Sequence, residues 1–236
     1  MWRTDRIMQW AGVCIVAVLG ASAAHAADSS RPTLVELFTS QGCSSCPPAN
    51  DNLAALAGRP DVLALSFGVT YWDQLGWKDT FAQQAFTARQ WDYAHRLGHS
   101  QVWTPQMLFN GRADVTGASR TDIDGALRKA DRGGGGPQLS LHGRRISVGG
   151  GAAPAGGADI WLVRYDPRVV QVPVRRGENT GRTLPHRNVV REMTLIGRWK
   201  GQPFEADTPA QRETGLASAV LVQAGRGGPI IAAAKG

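Results

Sequence analysis

Two cysteines three positions apart are the residues of this chain best suited to covalent chemistry. Cys43 and Cys46 enclose two serines in a CxxC motif that follows an apolar run and precedes a helical pattern. The free backbone N–H groups and the positive dipole end of a helix start favour a thiolate. A thiol of lowered pKa attacks in disulfide exchange, and a nearby second thiol resolves the mixed disulfide. We therefore expect an accessible Cys43 to attack and Cys46 to resolve.

Two other interpretations of the motif stay open, an inert structural disulfide and half of a zinc site. Zinc needs further ligands, and the sequence has no second CxxC. His95 and His99 have a suitable spacing, but Gly98 between them is expected to end their helix. An inert disulfide that closes so short a loop adds little stability in the loop-entropy model. We therefore expect redox activity, with no bound metal and no cofactor.

The first 26 residues are expected to be a secretory signal peptide. Arg3 and Arg6 form a short basic region, residues 11–24 are apolar but too few to span a bilayer, and Ala24-His25-Ala26 fits a cleavage site. The alternative is a retained membrane anchor. Cleavage near Ala26 would place the CxxC in the periplasm or outside the cell, where disulfides form. No stable membrane span is expected after cleavage.

Composition indicates a globular chain. Of its 236 residues 42% are hydrophobic and 19% charged, and its 29 glycines show no G-X-Y period. Collagen and a disordered polyelectrolyte are therefore excluded. A chain of this length can bury a sizeable core without disulfide staples, so the three cysteines are not a scaffold.

The elements around the motif are expected to alternate between strands and helices. Apolar runs predict strands over residues 33–40, 62–69, 106–109 and 113–116, and helical spacing predicts helices over 47–57, 79–97 and 120–130. Asp79 or Thr80 is expected to cap the second helix. Asn110-Gly111 favours a type I′ turn between the last two strands. Residues 30–132 are thus predicted to form an α/β domain of order βαβαββα.

A different organisation is predicted beyond a glycine-rich linker at residues 133–137. The rest of the chain has short apolar runs separated by Gly, Pro or Asn, over residues 139–142, 145–148, 159–165, 169–174, 189–196, 219–223 and 229–233. This punctuation predicts an all-β C-terminal module over residues 138–236. The alternative is that these strands extend or pack on the first sheet and make one mixed domain.

The element order, the CxxC at the first helix start and Thr104-Pro105 before the third strand resemble the thioredoxin fold. The resemblance implies that Pro105 is in the cis form beside the active-site sulfurs. It also implies that the backbone of Thr104 hydrogen-bonds a bound substrate peptide.

A closer resemblance is to the DUF1223 family of secreted, thioredoxin-like proteins. It is carried by LVELFTSQGCSSCPPAN (34–50), YWDQLGWKD (71–79), TPQMLFNG (104–111) and RRGENTGRTLPHRNVVR (175–191). The family has no settled activity, so the resemblance implies a fold more than a function. Residues 67–70, FGVT, depart from the family's FHVD pattern, and Gly68 and Thr70 put in doubt any proton transfer or metal contact that His and Asp supply there.

Glu36 is the candidate proton shuttle. It interrupts an apolar strand seven residues before Cys43, and in thioredoxins a buried acid on this strand helps to deprotonate the resolving thiol. Burial would raise the pKa of a carboxyl group and let it exchange a proton near neutral pH. The alternative is that Glu36 faces a polar seam or pairs with an arginine.

Tyr71 and Trp72, with Trp77 nearby, are the candidate walls of a substrate groove. They follow the second predicted strand at its C-terminal end, where ligand sites of open α/β sheets gather. The alternative is a packed corner, since large aromatic side chains are mostly buried.

Basic residues are frequent in the second half, and the whole chain has a net charge of +7. They suggest an acidic partner at the C-terminal module, or simply a solvated strand face. Nucleic acid is not expected, because no binding motif is recognised. The residues are Arg168, Arg175, Arg176, Arg182, Arg187, Arg191, Arg198 and Lys200.

The sequence thus predicts an exported thiol-disulfide oxidoreductase that acts on cysteines of exported proteins or on small thiols. The rival hypothesis is a non-catalytic binding module whose disulfide only makes a loop rigid.

Overall fold

The computed structural model describes residues 31–130 and 135–236. The expected signal peptide, residues 1–26, lies outside the described residues, as do residues 133 and 134 of the expected linker. Within the part of the chain that is described, no helix is long and apolar enough to cross a bilayer.

The first half of the described chain follows the predicted order of strands and helices. Its elements are β1 (Thr33–Thr39), α1 (Pro47–Leu56), β2 (Val62–Gly68), α2 (Gln84–Leu97), β3 (Gln106–Phe109), β4 (Ala113–Val115) and α3 (Arg120–Lys129). β1 pairs in parallel with β2 and antiparallel with β3. Asn110 and Gly111 join β3 to β4 with φ values of 49° and 61°, as a type I′ turn requires.

Helix α2 begins later than the sequence predicted, because Asp79 has other partners. The residue that precedes the helix is Gln83, not Asp79 or Thr80. The Asp79 carboxylate accepts the backbone N–H of Gln41 at 2.7 Å and that of Phe81 at 2.8 Å. Asp79 therefore ties the segment before α2 to the loop that leads into the CxxC.

The C-terminal strands do not stand apart as a separate all-β module. β7 (Ala158–Pro173), β8 (Thr183–Trp199), β10 (Ala217–Gln223) and β11 (Ile230–Lys235) extend the first sheet, whose order is β11-β10-β7-β8-β2-β1-β3-β4. Only β5 (Leu139–His142), β6 (Arg145–Val148) and β9 (Phe204–Asp207) form a second, three-stranded sheet. The two halves are joined where β8 lies parallel to β2, at Ser66 and Val189. The alternative of one mixed domain is the arrangement observed.

Helices cover both sides of the first sheet. Successive side chains of a strand point to opposite sides. On β1, Val35 and Leu37 pack with α1 and α3, whereas Leu34 and Phe38 pack on the side of α2. The three-stranded sheet packs against β7, β10 and β11 through a further cluster of buried apolar side chains.

Strands β7 and β8 continue past the sheet as one long hairpin. The sequence predicted two separate strands for residues 159–174, but a register shift after Asp166 lets β7 run on without interruption. Residues 169–173 pair with residues 183–187 in the outer part of the hairpin. Arg187 Nη1 donates to the carbonyl of Ala54 in α1 at 3.3 Å, which holds the hairpin against that helix. Residues 174–182 connect the two strands and form the hairpin tip.

Candidate functional site

Cys43 and Cys46 are joined by a disulfide at the start of α1. Cys46 is the residue that caps the helix, and Pro47 and Pro48 occupy its first positions. Prolines, which lack a backbone N–H, are tolerated there because the first N–H groups of a helix have no partner within the helix. The Cys46 carbonyl accepts the N–H groups of Ala49 and Asn50 at 3.0 and 3.1 Å. The prediction that the helix begins at the motif is confirmed.

The disulfide is covered, contrary to the expectation of an accessible Cys43 sulfur. Both cysteines are 0% exposed, whereas Ser44 and Ser45 between them face solvent. The hairpin tip, more than 130 residues further along the chain, hydrogen-bonds Ser44 and the Cys43 carbonyl beside the sulfurs. The sulfurs are therefore buried next to a surface segment.

Glu178 and Asn179 attach the hairpin tip to the CxxC. The Glu178 carboxylate accepts the backbone N–H of Ser44 at 3.0 Å and its hydroxyl at 2.7 Å. Asn179 Nδ2 donates to the carbonyls of Gln41 and Cys43 at 3.0 and 2.8 Å. The hydrogen bonds from Ser44 lower the pKa of the Glu178 carboxyl, so this contact is made by a carboxylate at neutral pH.

Sequence reasoning missed both residues of this contact. They lie in RRGENTGR, which contributed to the family resemblance without a role being assigned to any residue. A usable indication was present in the sequence, since Gly177 and Gly181 flank the pair, as glycines do in a tight connection between strands. In the structure both glycines have positive φ. Asn179 is itself fully buried, which is unusual for a residue in an exposed turn.

Thr104 and Pro105 lie on the other side of the disulfide. The bond between them is cis, as the resemblance implied. The Thr104 carbonyl oxygen is 3.8 Å from the Cys43 sulfur, and Ser45 Oγ is 3.3 Å from the same sulfur. The structure therefore brings Cys43, Cys46, Thr104 and Pro105 together.

Trp72 and Tyr71 both join this group, partly buried against the neighbouring apolar cluster. Trp72 Nε1 donates to Thr104 Oγ1 at 2.7 Å, and its Cβ lies beside Gly42, which precedes the first cysteine. Tyr71 is half-buried, and its hydroxyl donates to Gln90 Oε1 at 3.3 Å. Burial raises the pKa of Tyr71 to about 12, so the phenol stays protonated at neutral pH. Both predicted groove residues therefore contact Thr104, Trp72 through its indole N–H and Tyr71 through its hydroxyl.

Glu36 does not reach the disulfide. It is fully buried on the side of β1 that faces α2, whereas Cys46 begins α1 on the other side. Its carboxylate accepts from Arg89 Nε at 2.7 Å and from the hydroxyl of Tyr93. Gln223 completes the group by contacting both Arg89 and Tyr93. The alternative of a pair with an arginine is what the structure has, and the strand's alternation is the physical reason.

The basic residues of the second half do not form one patch. Arg168 and Arg198 are paired with acidic residues, and the guanidinium of Arg191 lies 4.7 Å from the ring centre of Phe81. Arg175, Arg176 and Arg182 are exposed at the hairpin tip.

The structure assigns no metal site to the residues it describes. In residues 31–130 and 135–236 no three His, Cys, Asp or Glu side chains come together as ligands. Gly98 ends α2 with a φ of 79°, as expected, and His99 beyond it contacts Asp114 at 3.2 Å.

The departure from the family pattern at residues 67–70 has a structural counterpart. A Cβ on Gly68 would lie 2.8 Å from backbone atoms of Phe81 and Ala82, so the strand that forms here depends on glycine. Thr70 Oγ1 is hydrogen-bonded to Gln84 and Thr87 at the start of α2. Neither residue offers the proton-transfer groups of the family pattern.

Comparison with known proteins agrees with the resemblance seen in the sequence. The family described as "Protein of unknown function (DUF1223)" matches residues 34–223, so the chain belongs to this family. A protein from Agrobacterium tumefaciens, known from its crystal structure, shares 33% sequence identity with this chain. The two structures align with a TM-score of 0.71 over 86% of this chain and 92% of that one. HBP35 of Porphyromonas gingivalis has a TM-score of 0.59 at 11% identity, over 88% and 75% of the two chains, which shows a shared fold alone. No curated protein matches the chain significantly.

Proposed function

We propose that this member of the DUF1223 family is an exported thiol-disulfide oxidoreductase whose first half is a thioredoxin-like domain. Its partners are cysteines of an exported protein or a small thiol. The observation that carries the proposal is the position of the Cys43 sulfur at a helix start, 3.8 Å from the Thr104 carbonyl of a second loop. That loop supplies backbone groups next to the reacting sulfur, as exchange on a bound peptide needs.

Exchange proceeds in two balanced steps. In the reduced protein the Cys43 thiolate attacks one sulfur of a substrate disulfide, forms a mixed disulfide and releases the other sulfur as a thiolate. The Cys46 thiolate then attacks Cys43 and releases the second substrate sulfur. The substrate gains two electrons and the protein regains its Cys43–Cys46 bond. When the same steps run in reverse, the Cys43–Cys46 disulfide is reduced and a substrate dithiol is oxidised to a disulfide.

The hairpin tip must move before a substrate reaches Cys43. Glu178 and Arg182 at the tip are exposed, whereas Val174 and Asn179 of the same segment are buried. Polar contacts to Ser44, Gln41 and Cys43 attach it, and such contacts open more readily than apolar packing. The site is therefore gated rather than permanently closed.

One observation favours the rival function, a binding module with a structural disulfide. Both cysteines are fully buried in the described structure, as structural cysteines commonly are. In that case the disulfide serves to hold the loop that contacts the hairpin tip, and the exposed Arg175 and Arg176 would meet an acidic partner.

A trapping experiment separates the two functions. Cys46→Ser, produced with its own N-terminus in a host that exports it, keeps the attacking thiol but cannot resolve. We expect mixed disulfides with other exported proteins to accumulate on Cys43. Cys43→Ser is the matched control, since it leaves one thiol at the helix cap, and it should trap far less.

The reduction potential gives an independent answer. A structural disulfide lies below about −300 mV, and an exchanging one lies well above that value. Equilibration of the wild-type protein with glutathione or dithiothreitol mixtures measures it. A value below that boundary, together with no trapping by Cys46→Ser, would overturn the oxidoreductase proposal.

A further inference from the structure

Two polar side chains are buried without partners on the inner side of α1. Asn50 is 7% exposed, and neither Nδ2 nor Oδ1 has a hydrogen-bond partner among the residues that the structure describes. Thr39 is 2% exposed, and its Oγ1 also lacks a partner within that part of the chain. Leaving a buried amide unpaired is costly, so each such group needs a partner, which an ordered water or another state of the protein can supply.

Asn50 lies next to the resolving cysteine. Its backbone N–H donates to the Cys46 carbonyl at 3.1 Å, which places it one helical turn after Cys46. Side chains four residues apart in a helix lie on one face, with Cβ atoms about 5–6 Å apart. The Asn50 amide does not hydrogen-bond the Cys46 sulfur in the disulfide form, but the shared helix face lets a side-chain rotation bring the two together.

The position of Thr39 supports the same placement. Val35 and Leu37 of β1 pack against the inner side of α1, and Thr39 follows at the same two-residue period. It ends β1 just before the loop into the CxxC. Two unpaired polar groups, Asn50 on the helix and Thr39 on the strand, thus face the space between α1 and β1, next to the disulfide.

We propose that Asn50 is the positioning residue for Cys46, because its amide donates to the Cys46 sulfur once the disulfide opens. This inference rests on the oxidoreductase function proposed above. A sulfur in a disulfide is a weak acceptor and a thiolate is a strong one, so the amide gains a partner only in the reduced form. The bond stabilises the Cys46 thiolate that attacks the mixed disulfide. The proton that Cys46 loses passes to the released substrate sulfur.

Arg187 is the charged side chain that reaches α1 from β8. Its Nη1 binds the carbonyl of Ala54, one turn after Asn50. Ala54 lies eight residues, about 12 Å of helix, beyond Cys46, so the Arg187 charge is too distant to take the place of the Asn50 amide. The Glu178 carboxylate binds Ser44 inside the CxxC and acts in the opposite direction, since an anion disfavours a thiolate. Glu36 and Arg89 lie on the opposite side of the sheet and are paired with each other.

Asn50→Leu tests the proposal. Leucine is similar in size and removes the two unpaired atoms, so the oxidised protein should be as stable as wild type or more stable. The reduced protein loses a hydrogen bond to a charged group. We expect the equilibrium constant for reduction by dithiothreitol to fall about tenfold, which is ~30 mV for a two-electron couple. In a Cys43→Ser background the pKa of Cys46 should rise.

Asn52→Leu is the matched control, from the same residue type on the same helix. Asn52 Nδ2 donates to the carbonyls of Gly117 and Ala118 at 2.9 and 3.1 Å. Loss of these two hydrogen bonds should lower the stability of the oxidised protein and leave the equilibrium constant for reduction by dithiothreitol unchanged. The two variants thus have opposite signatures.

The outcomes separate this inference from the function on which it rests. If the wild-type disulfide equilibrates with dithiothreitol in the folded protein but Asn50→Leu gives the same constant, the role of Asn50 is refuted and the proposed function stands. If the wild-type disulfide does not open until the protein unfolds, both fail. A lower stability of oxidised Asn50→Leu with an unchanged constant would show a purely structural asparagine.

Discussion

His186 makes the stability of this protein depend on mild acid. It lies on β8 in the outer hairpin, 3% exposed, with its ring 5.5 Å from that of Phe81. Its Nε2 has no hydrogen-bond partner among the described residues. Burial lowers the pKa of His186 from 6.5 to about 4. The folded protein therefore holds a neutral imidazole at pH values where the unfolded chain binds a proton.

The size and sign of the effect follow from this shift. Above pH 6.5 the imidazole is neutral in both states and the free energy of unfolding is unaffected. Between the unfolded and the folded pKa, the unfolded state binds one more proton, so stability falls by about 1.4 kcal/mol per pH unit. Over a window of about 2.5 units the loss is about 3 kcal/mol. Below the folded pKa this contribution stops growing.

Urea unfolding of the oxidised protein at several pH values measures the effect, with tryptophan fluorescence as the signal. His186→Leu should be at least as stable as wild type near neutral pH, because it removes an unpaired buried nitrogen. It should lose about 3 kcal/mol less than wild type across the window. The control is His142→Leu, since His142 is exposed at the end of β5. Parallel losses in wild type and His186→Leu would refute the reasoning.

Three other substitutions test the hairpin-tip contact, the buried ion pair and the close packing at Gly68. Asn179→Ala removes the two hydrogen bonds to the Gln41 and Cys43 carbonyls, of about 1 kcal/mol each, so reduction of the disulfide by dithiothreitol should speed up about thirtyfold; an unchanged rate would show that the tip does not control access. Arg89→Met leaves the Glu36 carboxylate buried without its cation, and chemical denaturation should show a loss of about 3–5 kcal/mol; a neutral result would contradict the ion pair. Gly68→Ala brings a Cβ within 2.8 Å of backbone atoms, and thermal unfolding should show a loss of about 1–3 kcal/mol; wild-type stability would show that the neighbouring segment moves aside freely.

Local elements of this fold could be predicted because neighbours in sequence determine them. Ser119 caps α3 by accepting the N–H of Asp122, as its residue type suggests. Asn110 and Gly111 form the expected turn because both tolerate positive φ. Strand β9 was missed, since FEAD has only four residues and none of them is β-branched, although apolar and polar residues alternate. Its pairing with β6 is what makes it a strand.

The joining of the two halves could not be predicted from the same information. β8 lies beside β2 although the two strands are more than 100 residues apart in sequence, and no local pattern encodes that pairing. Its apolar run was equally compatible with a separate module. Asn188 is an example of a contact that the sequence does not reveal. Its Nδ2 donates to the Ala64 carbonyl of β2 at 2.7 Å.

The candidate site divides in the same way. The CxxC and its place at a helix start were predicted because they form a local motif. The Thr104–Pro105 loop was predicted because the resemblance implies it. Glu178 and Asn179 were not, since they reach the motif from the far end of a long hairpin. Glu36 was expected to act on the resolving cysteine, but the alternation of side chains along β1 turns it toward Arg89.

Complete burial of a disulfide does not by itself decide between exchange and inertness. A covered disulfide reacts in proportion to the fraction of molecules that are open. The two hydrogen bonds from Asn179 to the Gln41 and Cys43 carbonyls alone reduce that fraction about thirtyfold. A gated disulfide should therefore react faster in every variant that weakens the tip. A structural disulfide should respond only to variants that lower the global free energy of unfolding. Asn179→Ala and Arg89→Met together separate the two cases, since one weakens the tip contact and the other weakens the core on the far side of the sheet.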